Sequence, residues 1–263
     1  MKARPPVLFV HGSNVDSRIW DEHRDIIGSR YELIAPTQRY FGTLPWPDDG
    51  RHFSIDTHAA DLAAFIDSLG VAPIAIVGWS YGAAVCLAMT LRNPAAVSRL
   101  FLYEPALATF VSEPSAAKNA VDDRIAMSRP AKEEADRGNF ESAVQLFMDG
   151  VNDEAGTFRS LTPRVQKIMF ENARMLSLLF AARPPQITCA GLGRLSMPVT
   201  VAMGEDSRAF YKICAQAAAQ CIPHARLVTI PKVRHLLPVQ DPAGFSRAVL
   251  DFLEEPVRYH EQS

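Results

Sequence analysis

The chain has few of the features that mark several protein classes. Its four cysteines include no C-x-x-C pair, and none lies near a histidine at metal-ligand spacing. The 27 basic and 29 acidic residues leave a net charge of −2, and no basic patch carries interleaved aromatic residues. The sequence therefore predicts no metal site and no general attraction to nucleic acid or to an anionic membrane.

Long apolar runs are also scarce. Residues 7–10 are apolar but too few for a signal peptide. Residues 74–91 would suit a membrane span, except that a turn at 78–82 divides them into a strand and a helix. A Cys214–Cys221 disulfide is an alternative to free thiols, but nothing else indicates an oxidising compartment. We therefore expect a cytoplasmic protein.

The residues that are present suit one large α/β domain. Apolar residues make up 48% of the chain and charged residues 21%, as in a soluble protein with a substantial core. Strand-like runs alternate with helical segments, which predicts a parallel sheet covered by helices on both faces. The predicted strands are 7–10, 31–35, 74–77, 99–103, 198–203 and 225–230. The predicted helices are 17–28, 57–69, 81–92, 207–221 and 242–254.

The alternation breaks between residues 107 and 190. This stretch is helix-rich, with charged material at 129–137 and amphipathic runs at 139–150 and 162–182. An insertion between two core strands is most simply a cap over the carboxyl ends of the sheet. We expect an α/β core and a helical cap with the boundaries 1–106 and 191–263 for the core and 107–190 for the cap.

The most specific motif is Gly78-Trp79-Ser80-Tyr81-Gly82, which stands between the strand 74–77 and a helix. A G-x-S-x-G in that context is typical of a nucleophile elbow, in which a strained turn exposes the serine hydroxyl. The turn is too tight for side chains at either glycine. The motif predicts Ser80 as a nucleophile, and the alternative is a close-packed turn whose serine has no chemical role.

A serine hydroxyl needs a base within hydrogen-bond reach and N–H donors for the negative charge that develops on the substrate. His235 follows the strand 225–230, on a loop that can reach the carboxyl edge of the sheet, and is the predicted base. The backbone N–H groups of Tyr81 and Ser13 are the predicted oxyanion-hole donors. Ser13 follows His11-Gly12, directly after the first strand.

The base in turn needs a carboxylate, and two follow strands. Glu104 comes after the strand 99–103 and before a proline, and Asp206 comes after the strand 198–203. A charged group is seldom buried unless it is paired, so an acid in either place is unusual as filler.

Residues 9–12, the elbow, the two carboxylates and His235 resemble the α/β-hydrolase fold family, in the order serine, acid, histidine. In most members the acid follows the strand after the cap, often three residues beyond a glycine, and Ser207 stands there. Other members, including some haloalkane dehalogenases and fungal resorcylate lactone hydrolases, carry the acid one strand earlier. The resemblance therefore favours Glu104 and keeps Asp206 as the alternative.

The family usually begins with a β-hairpin, whereas only six residues precede the first strand here. We therefore expect about six strands, all parallel, with a different exposed edge. An exposed edge needs cover. A second subunit could supply it, so a homo-oligomer is one expectation.

The resemblance also implies an activity. Epoxide hydrolases and haloalkane dehalogenases carry aspartate where this chain has Ser80, which disfavours both activities. The resemblance implies a small-molecule substrate, a rather apolar carboxylic ester or lactone, hydrolysed without metal or organic cofactor. Its alternatives are a carbon–carbon bond hydrolase and a non-catalytic ligand-binding protein of the same fold. The expected pocket residues are His11, Gly12, Phe41, Trp79, Met169 and Leu176. For the four apolar side chains among them, core packing is the competing interpretation.

Overall fold

The computed structural model describes residues 4–255, which form a six-stranded sheet flanked by helices. Every neighbouring strand pair is parallel, in the order β2-β1-β3-β4-β5-β6. The predicted fold class is thereby confirmed. The strands are β1 (Pro6–Val10), β2 (Glu32–Ile34), β3 (Ile74–Trp79), β4 (Val97–Tyr103), β5 (Val199–Gly204) and β6 (Arg226–Ile230).

Twelve α-helices occur within the described residues. Helix α1 packs against α12, and α2 packs against α3, so both pairs cover apolar strands. The helices are α1 (Asp21–Ile27), α2 (Ile55–Leu69), α3 (Tyr81–Arg92), α4 (Pro114–Asp136), α5 (Phe140–Asn152), α6 (Thr157–Ser160), α7 (Pro163–Glu171), α8 (Met175–Ala181), α9 (Cys189–Leu192), α10 (Ala209–Cys221), α11 (Leu237–Gln240) and α12 (Pro242–Glu254).

The segment between β4 and β5, from α4 to α9, differs in detail from the sequence prediction. Its first helix, α4, has 23 residues and begins at Pro114, well before the charged stretch 129–137. The run 162–182 is two helices, α7 and α8, rather than one. The break falls at Asn172, whose side-chain amide donates to Ile168 O of its own helix and to Asp16 Oδ2 after β1. The buried bond to Asp16 fastens this segment to the loop that follows β1.

The sheet register aligns the chemistry-bearing residues. Val10 pairs with Gly78, and Trp79 pairs with Tyr103, so β1, β3 and β4 end at the same edge. Ser80 and Glu104 directly follow β3 and β4 at that edge. Parallel strands thus bring distant parts of the sequence to one place, as in open α/β sheets generally.

The cysteine prediction was wrong. A disulfide joins Cys189 in α9 to Cys221 at the end of α10, with a Cα–Cα distance of 5.0 Å, and Cys214 is a buried free thiol. Cys214 and Cys221 share helix α10, but the fold brings a residue 32 positions away against Cys221. A cytoplasmic location stays a prediction, and it loses the support of the cysteine argument.

No helix within residues 4–255 is both apolar and long enough to cross a membrane. The rejection of residues 74–91 as a span agrees with this, because they form β3, the turn and most of α3. Whether an edge strand pairs with another subunit stays a prediction.

His23 is a buried histidine that the core holds in its neutral form. Its Nε2 lies 2.9 Å from the carbonyl oxygen of Pro238, and its Nδ1 lies 2.9 Å from Ser246 Oγ. A carbonyl only accepts, so Nε2 carries the proton and Nδ1 accepts from the serine hydroxyl. Burial lowers the pKa of His23 from 6.5 to about 4.

This shift predicts a pH-dependent stability. Below about pH 6.5, His23 binds a proton in the unfolded chain, whereas in the folded chain it stays neutral down to about pH 4. The free energy of unfolding therefore falls as the pH drops from about 6.5 towards about 4. The contribution of this one group is about 3 kcal/mol at most. Urea unfolding between pH 7.5 and 4.5 should show a shallower pH slope for His23→Gln than for the unaltered chain. His52→Gln, which alters an exposed ring, should keep the slope, and equal slopes in all three would contradict the assignment.

Candidate active site

The turn after β3 has the strained geometry of an elbow. Ser80 has φ 57° and ψ −118°, a conformation that non-glycine residues seldom adopt. A Cβ on Gly78 would lie 2.7 Å from Ala83 Cα, and one on Gly82 would lie 2.3 Å from the carbonyl oxygen of His11. Both positions therefore require glycine, as expected from the motif.

Ser80, His235 and Glu104 form a continuous hydrogen-bonded chain. Ser80 Oγ lies 3.0 Å from His235 Nε2, and His235 Nδ1 lies 2.6 Å from Glu104 Oε2. The other carboxylate oxygen, Oε1, accepts a 2.7 Å hydrogen bond from the backbone N–H of Gly204. All three side chains are buried. An ionised carboxylate accepts Nδ1–H, which leaves Nε2 free to accept the serine proton.

The two predicted carboxylates differ in their contacts. Glu104 meets the imidazole, whereas Asp206 is exposed, and its backbone carbonyl accepts a 2.9 Å hydrogen bond from Arg234. The reason is the sheet: β4 lies beside the elbow strand β3, while β5 lies one strand further away. Glu104 also has a positive φ of 49°, which turns its carboxyl group across the sheet edge.

The loop that carries His235 is held by bonds from three elements. Trp79 Nε1–H, at the end of β3, donates to the carbonyl of His235 itself. Tyr103 Oη–H, at the end of β4, donates to the carbonyl of Arg234. Asn152 Oδ1, at the end of α5, accepts from the N–H of Leu236. The loop is therefore fixed before a substrate binds.

Tyr211 covers one face of the imidazole. Its ring stacks on that of His235 with centroids 3.6 Å apart and an interplanar angle of 8°. Burial, followed by the nearby Glu104 carboxylate, raises the pKa of Tyr211, so its phenol stays neutral. A neutral ring in this position limits rotation of the imidazole and keeps water from that face. No motif around Tyr211 marks it, because it lies inside an ordinary amphipathic helix, α10.

His11 lies beneath the site as a structural group. Its Nε2 accepts a 3.1 Å hydrogen bond from the backbone N–H of Gln38, and its Nδ1 lies 2.8 Å from the carbonyl of Gly12. Burial lowers the pKa of His11 from 6.5 to about 4, so the ring is neutral. The side chain of Gln38 also donates to the His11 carbonyl. Together these bonds fix the turn that leads to Ser13.

A cavity of about 450 Å³ is lined by Ser80, Tyr81 and Ser13 together with apolar side chains. The apolar lining includes Leu107, Phe147, Leu179, Phe180 and Phe210. The six residues expected to line a pocket are not among the lining residues. They are His11, Gly12, Phe41, Trp79, Met169 and Leu176.

The reason is the direction in which each side chain points, because helical periodicity does not show which face of a helix meets the cavity. Met169 and Leu176 are fully buried on the inner faces of α7 and α8, and Phe41 packs in an aromatic cluster with Phe53 and Tyr81. The Trp79 ring packs edge-on against Trp20, with ring centroids 6.2 Å apart. For the four apolar side chains, core packing is thus the better interpretation.

A family model described as "Alpha/beta hydrolase family" matches residues 7–248, which is nearly the whole chain. This chain belongs to the alpha/beta hydrolase family. The predicted family is confirmed.

Two curated relatives match this chain over shorter stretches at higher identity. It is 32% identical over 102 residues to lipase LipV of Mycobacterium tuberculosis, covering 39% of this chain and 38% of LipV. It is 36% identical over 100 residues to 2-hydroxy-6-oxo-2,4-heptadienoate hydrolase of Pseudomonas putida, covering 37% of this chain and 36% of that protein. The matched part of this chain thus spans little more than a third of the length of each of these two relatives.

A solved structure extends the likeness to the whole fold. A thermophilic esterase from Thermogutta terrifontis superposes with a TM-score of 0.69 at 24% sequence identity, covering 96% of this chain and 90% of that one. At this identity the likeness shows the fold alone.

The contacts of this alpha/beta hydrolase predict unequal effects for its two candidate acids. Glu104→Gln places an amide against His235 Nδ1 and favours the tautomer whose Nε2 cannot accept a proton. The rate at which a fluorophosphonate modifies Ser80, followed by mass spectrometry, should fall by about 10³-fold or more. Asp206→Asn should change that rate less than about twofold. Equal rates for Glu104→Gln and the unaltered chain would contradict the assignment.

Proposed function

We propose that this chain hydrolyses a small, rather apolar carboxylic ester or lactone through an acyl-enzyme on Ser80. The observation that carries the proposal is the buried chain of hydrogen bonds from Ser80 Oγ through the His235 imidazole to Glu104. That arrangement supplies a nucleophile, a base for its proton and a carboxylate that stabilises the resulting imidazolium.

The acylation step follows from these contacts. Ser80 Oγ attacks the carbonyl carbon while its proton passes to His235 Nε2, and the carbonyl oxygen becomes an oxyanion. The tetrahedral intermediate then collapses: the bond to the alkoxy group breaks, and His235 gives its proton to the leaving oxygen. Glu104 accepts the Nδ1 hydrogen bond throughout.

Deacylation repeats the sequence with water. His235 takes a proton from a water molecule, which attacks the Ser80 ester, and the proton returns to Ser80 Oγ as the acid leaves. For a lactone the same steps open the ring, because the leaving alcohol belongs to the same molecule.

The oxyanion needs fixed donors, and we assign these to the backbone N–H groups of Tyr81 and Ser13. Tyr81 is the first residue of α3, where N–H groups have no partner within the helix and the helix dipole favours negative charge. Both residues line the cavity beside Ser80. Tyr81 is anchored by its hydroxyl, which lies 2.7 Å from Nδ1 of the buried His58.

The substrate preference follows from the cavity walls. Leu107, Phe147, Phe180 and Phe210 offer aliphatic and aromatic surface to an acyl or alcohol chain, and a volume of about 450 Å³ suits a small molecule. Several of these residues come from the segment between β4 and β5. We therefore assign residues 107–190 as a helical cap and residues 1–106 and 191–263 as the core, of which the described part is 4–106 and 191–255.

The central test is Ser80→Ala with p-nitrophenyl acetate and p-nitrophenyl butyrate. Removal of the hydroxyl leaves only oriented donors and binding, so kcat/KM should fall by about 10³-fold or more. Ser68→Ala, which alters an exposed serine on α2, is the matched control and should keep full activity. Turnover by Ser80→Ala equal to that of the control would refute the acyl-enzyme.

One observation favours a second candidate, hydrolysis of a carbon–carbon bond with the same residues. The relative from Pseudomonas putida is a 2-hydroxy-6-oxo-2,4-heptadienoate hydrolase, and it matches 37% of this chain at 36% identity. A panel of p-nitrophenyl esters and vinylogous diketones separates the two: preferential cleavage of the diketones would favour the second candidate. Failure of a fluorophosphonate to label Ser80 would favour a non-catalytic ligand-binding protein.

A further inference from the structure

The cavity over Ser80 has a cationic wall. Arg124, Arg129 and Lys132 on α4 and Arg183 after α8 are all among its lining residues, and no aspartate or glutamate lines it within residues 4–255. The whole chain has slightly more acidic than basic residues. Four cations without an acid are therefore a local feature of this wall.

Apolar side chains alternate with these cations along α4. Val121 and Ile125 are 49% and 47% exposed, which is unusual for large apolar side chains, and both line the cavity. Residues 121, 125, 129 and 132 follow one another at helical spacing and so share a face of α4. That face offers hydrophobic surface and positive charge to the same cavity.

Three acidic residues of α4 pair with cations that lie outside the cavity lining. Asp122 pairs with Lys118, and Asp123 pairs with Arg208, both outside the lining. Glu134 pairs with Arg137.

The cations of the lining are mostly left without such a partner. Lys132 contacts Asp136 at 2.5 Å, but Arg124, Arg129 and Arg183 form no ion pair with any residue of the described chain. Guanidinium groups are planar forks that match the oxygens of a carboxylate or phosphate.

We propose that the natural substrate carries an oxyanion, a carboxylate or a phosphate, at the end of an apolar chain remote from the bond that Ser80 attacks. This inference rests on the proposed function and names its substrate class. The carbonyl lies at Ser80, the chain lies against Leu107, Phe147 and Phe180, and the oxyanion lies at the guanidinium groups of Arg124, Arg129 and Arg183. The cations also draw the anionic substrate towards the cavity before it binds.

The test uses mono-p-nitrophenyl esters of straight-chain dicarboxylic acids from six to ten carbons, which are too long for the free carboxylate to displace p-nitrophenolate by forming a cyclic anhydride. Each ester is paired with the analogue whose free carboxylate is replaced by a primary carboxamide, and a second arm ends in a phosphonate. At one chain length, kcat/KM for an anionic member should exceed that of its carboxamide by roughly fivefold to tenfold at low salt. High salt should reduce the ratio, because it screens exposed charges.

Substitutions identify the groups responsible. The double variant is Arg124→Gln with Arg129→Gln, and the quadruple variant adds Lys132→Gln and Arg183→Gln. Both variants should bring the ratio of kcat/KM for the anionic ester to that for its carboxamide towards one. The matched controls are Lys118→Gln and Arg137→Gln, which remove the same charge from α4 and its end but lie outside the cavity lining. These controls should keep the ratio.

The outcomes separate this inference from the proposed function. Equal turnover of anionic and carboxamide esters at every chain length, or a preference that survives all four substitutions, would overturn the oxyanion site and leave hydrolysis standing. No release of p-nitrophenol from any member, with no labelling of Ser80 by a fluorophosphonate, would overturn both.

Discussion

The contact on which the site depends is the His235 imidazole, bridged between Ser80 Oγ at 3.0 Å and Glu104 Oε2 at 2.6 Å. It requires two backbone conformations that protein chains avoid, since Ser80 and Glu104 both have positive φ. Such residues cost about 1–3 kcal/mol each and persist only where their surroundings fix them. Here the Ser80 N–H donates to Tyr103 O and the Glu104 N–H donates to Ala202 O. The strain at each site residue is therefore held by hydrogen bonds to the adjoining strand.

The segment between β4 and β5 takes part in this arrangement as well as forming a wall. Asn152, at the end of α5, accepts from the N–H of Leu236 and so fastens the residue next to His235. Arg208, just before α10, joins Asp123 of α4 to the carbonyl of Gly150 in α5. Helix α10 also carries Tyr211, which stacks on the imidazole. The cavity wall and the hydrogen-bonded chain from Ser80 to Glu104 are thus parts of one packed unit. A shift of α4 or α5 would therefore displace the His235 imidazole.

Much of the fold could be predicted because its signals are local. Six apolar runs matched six strands, and Gly78 has a steric reason close by in the chain, since a Cβ there would meet Ala83 Cα. Gly82 is required by a distant segment, because a Cβ there would meet the carbonyl oxygen of His11. The choice of acid depended on strand order, which a resemblance supplied. The cavity lining and the Cys189–Cys221 disulfide could not be predicted, because they depend on which way a helix face turns and on contacts between distant segments. Tyr211 and Asn152 likewise act through tertiary contacts that no motif records.

The most direct measurement of the central claim is a double-mutant cycle on Ser80 and His235. If the imidazole serves only to accept the Ser80 proton, the two groups act as a unit. Ser80→Ala, His235→Ala and the double variant should then show nearly equal losses in kcat for a p-nitrophenyl ester, with no further loss on combining them. Losses that multiply in the double variant would show that the two side chains act independently, and would contradict the account.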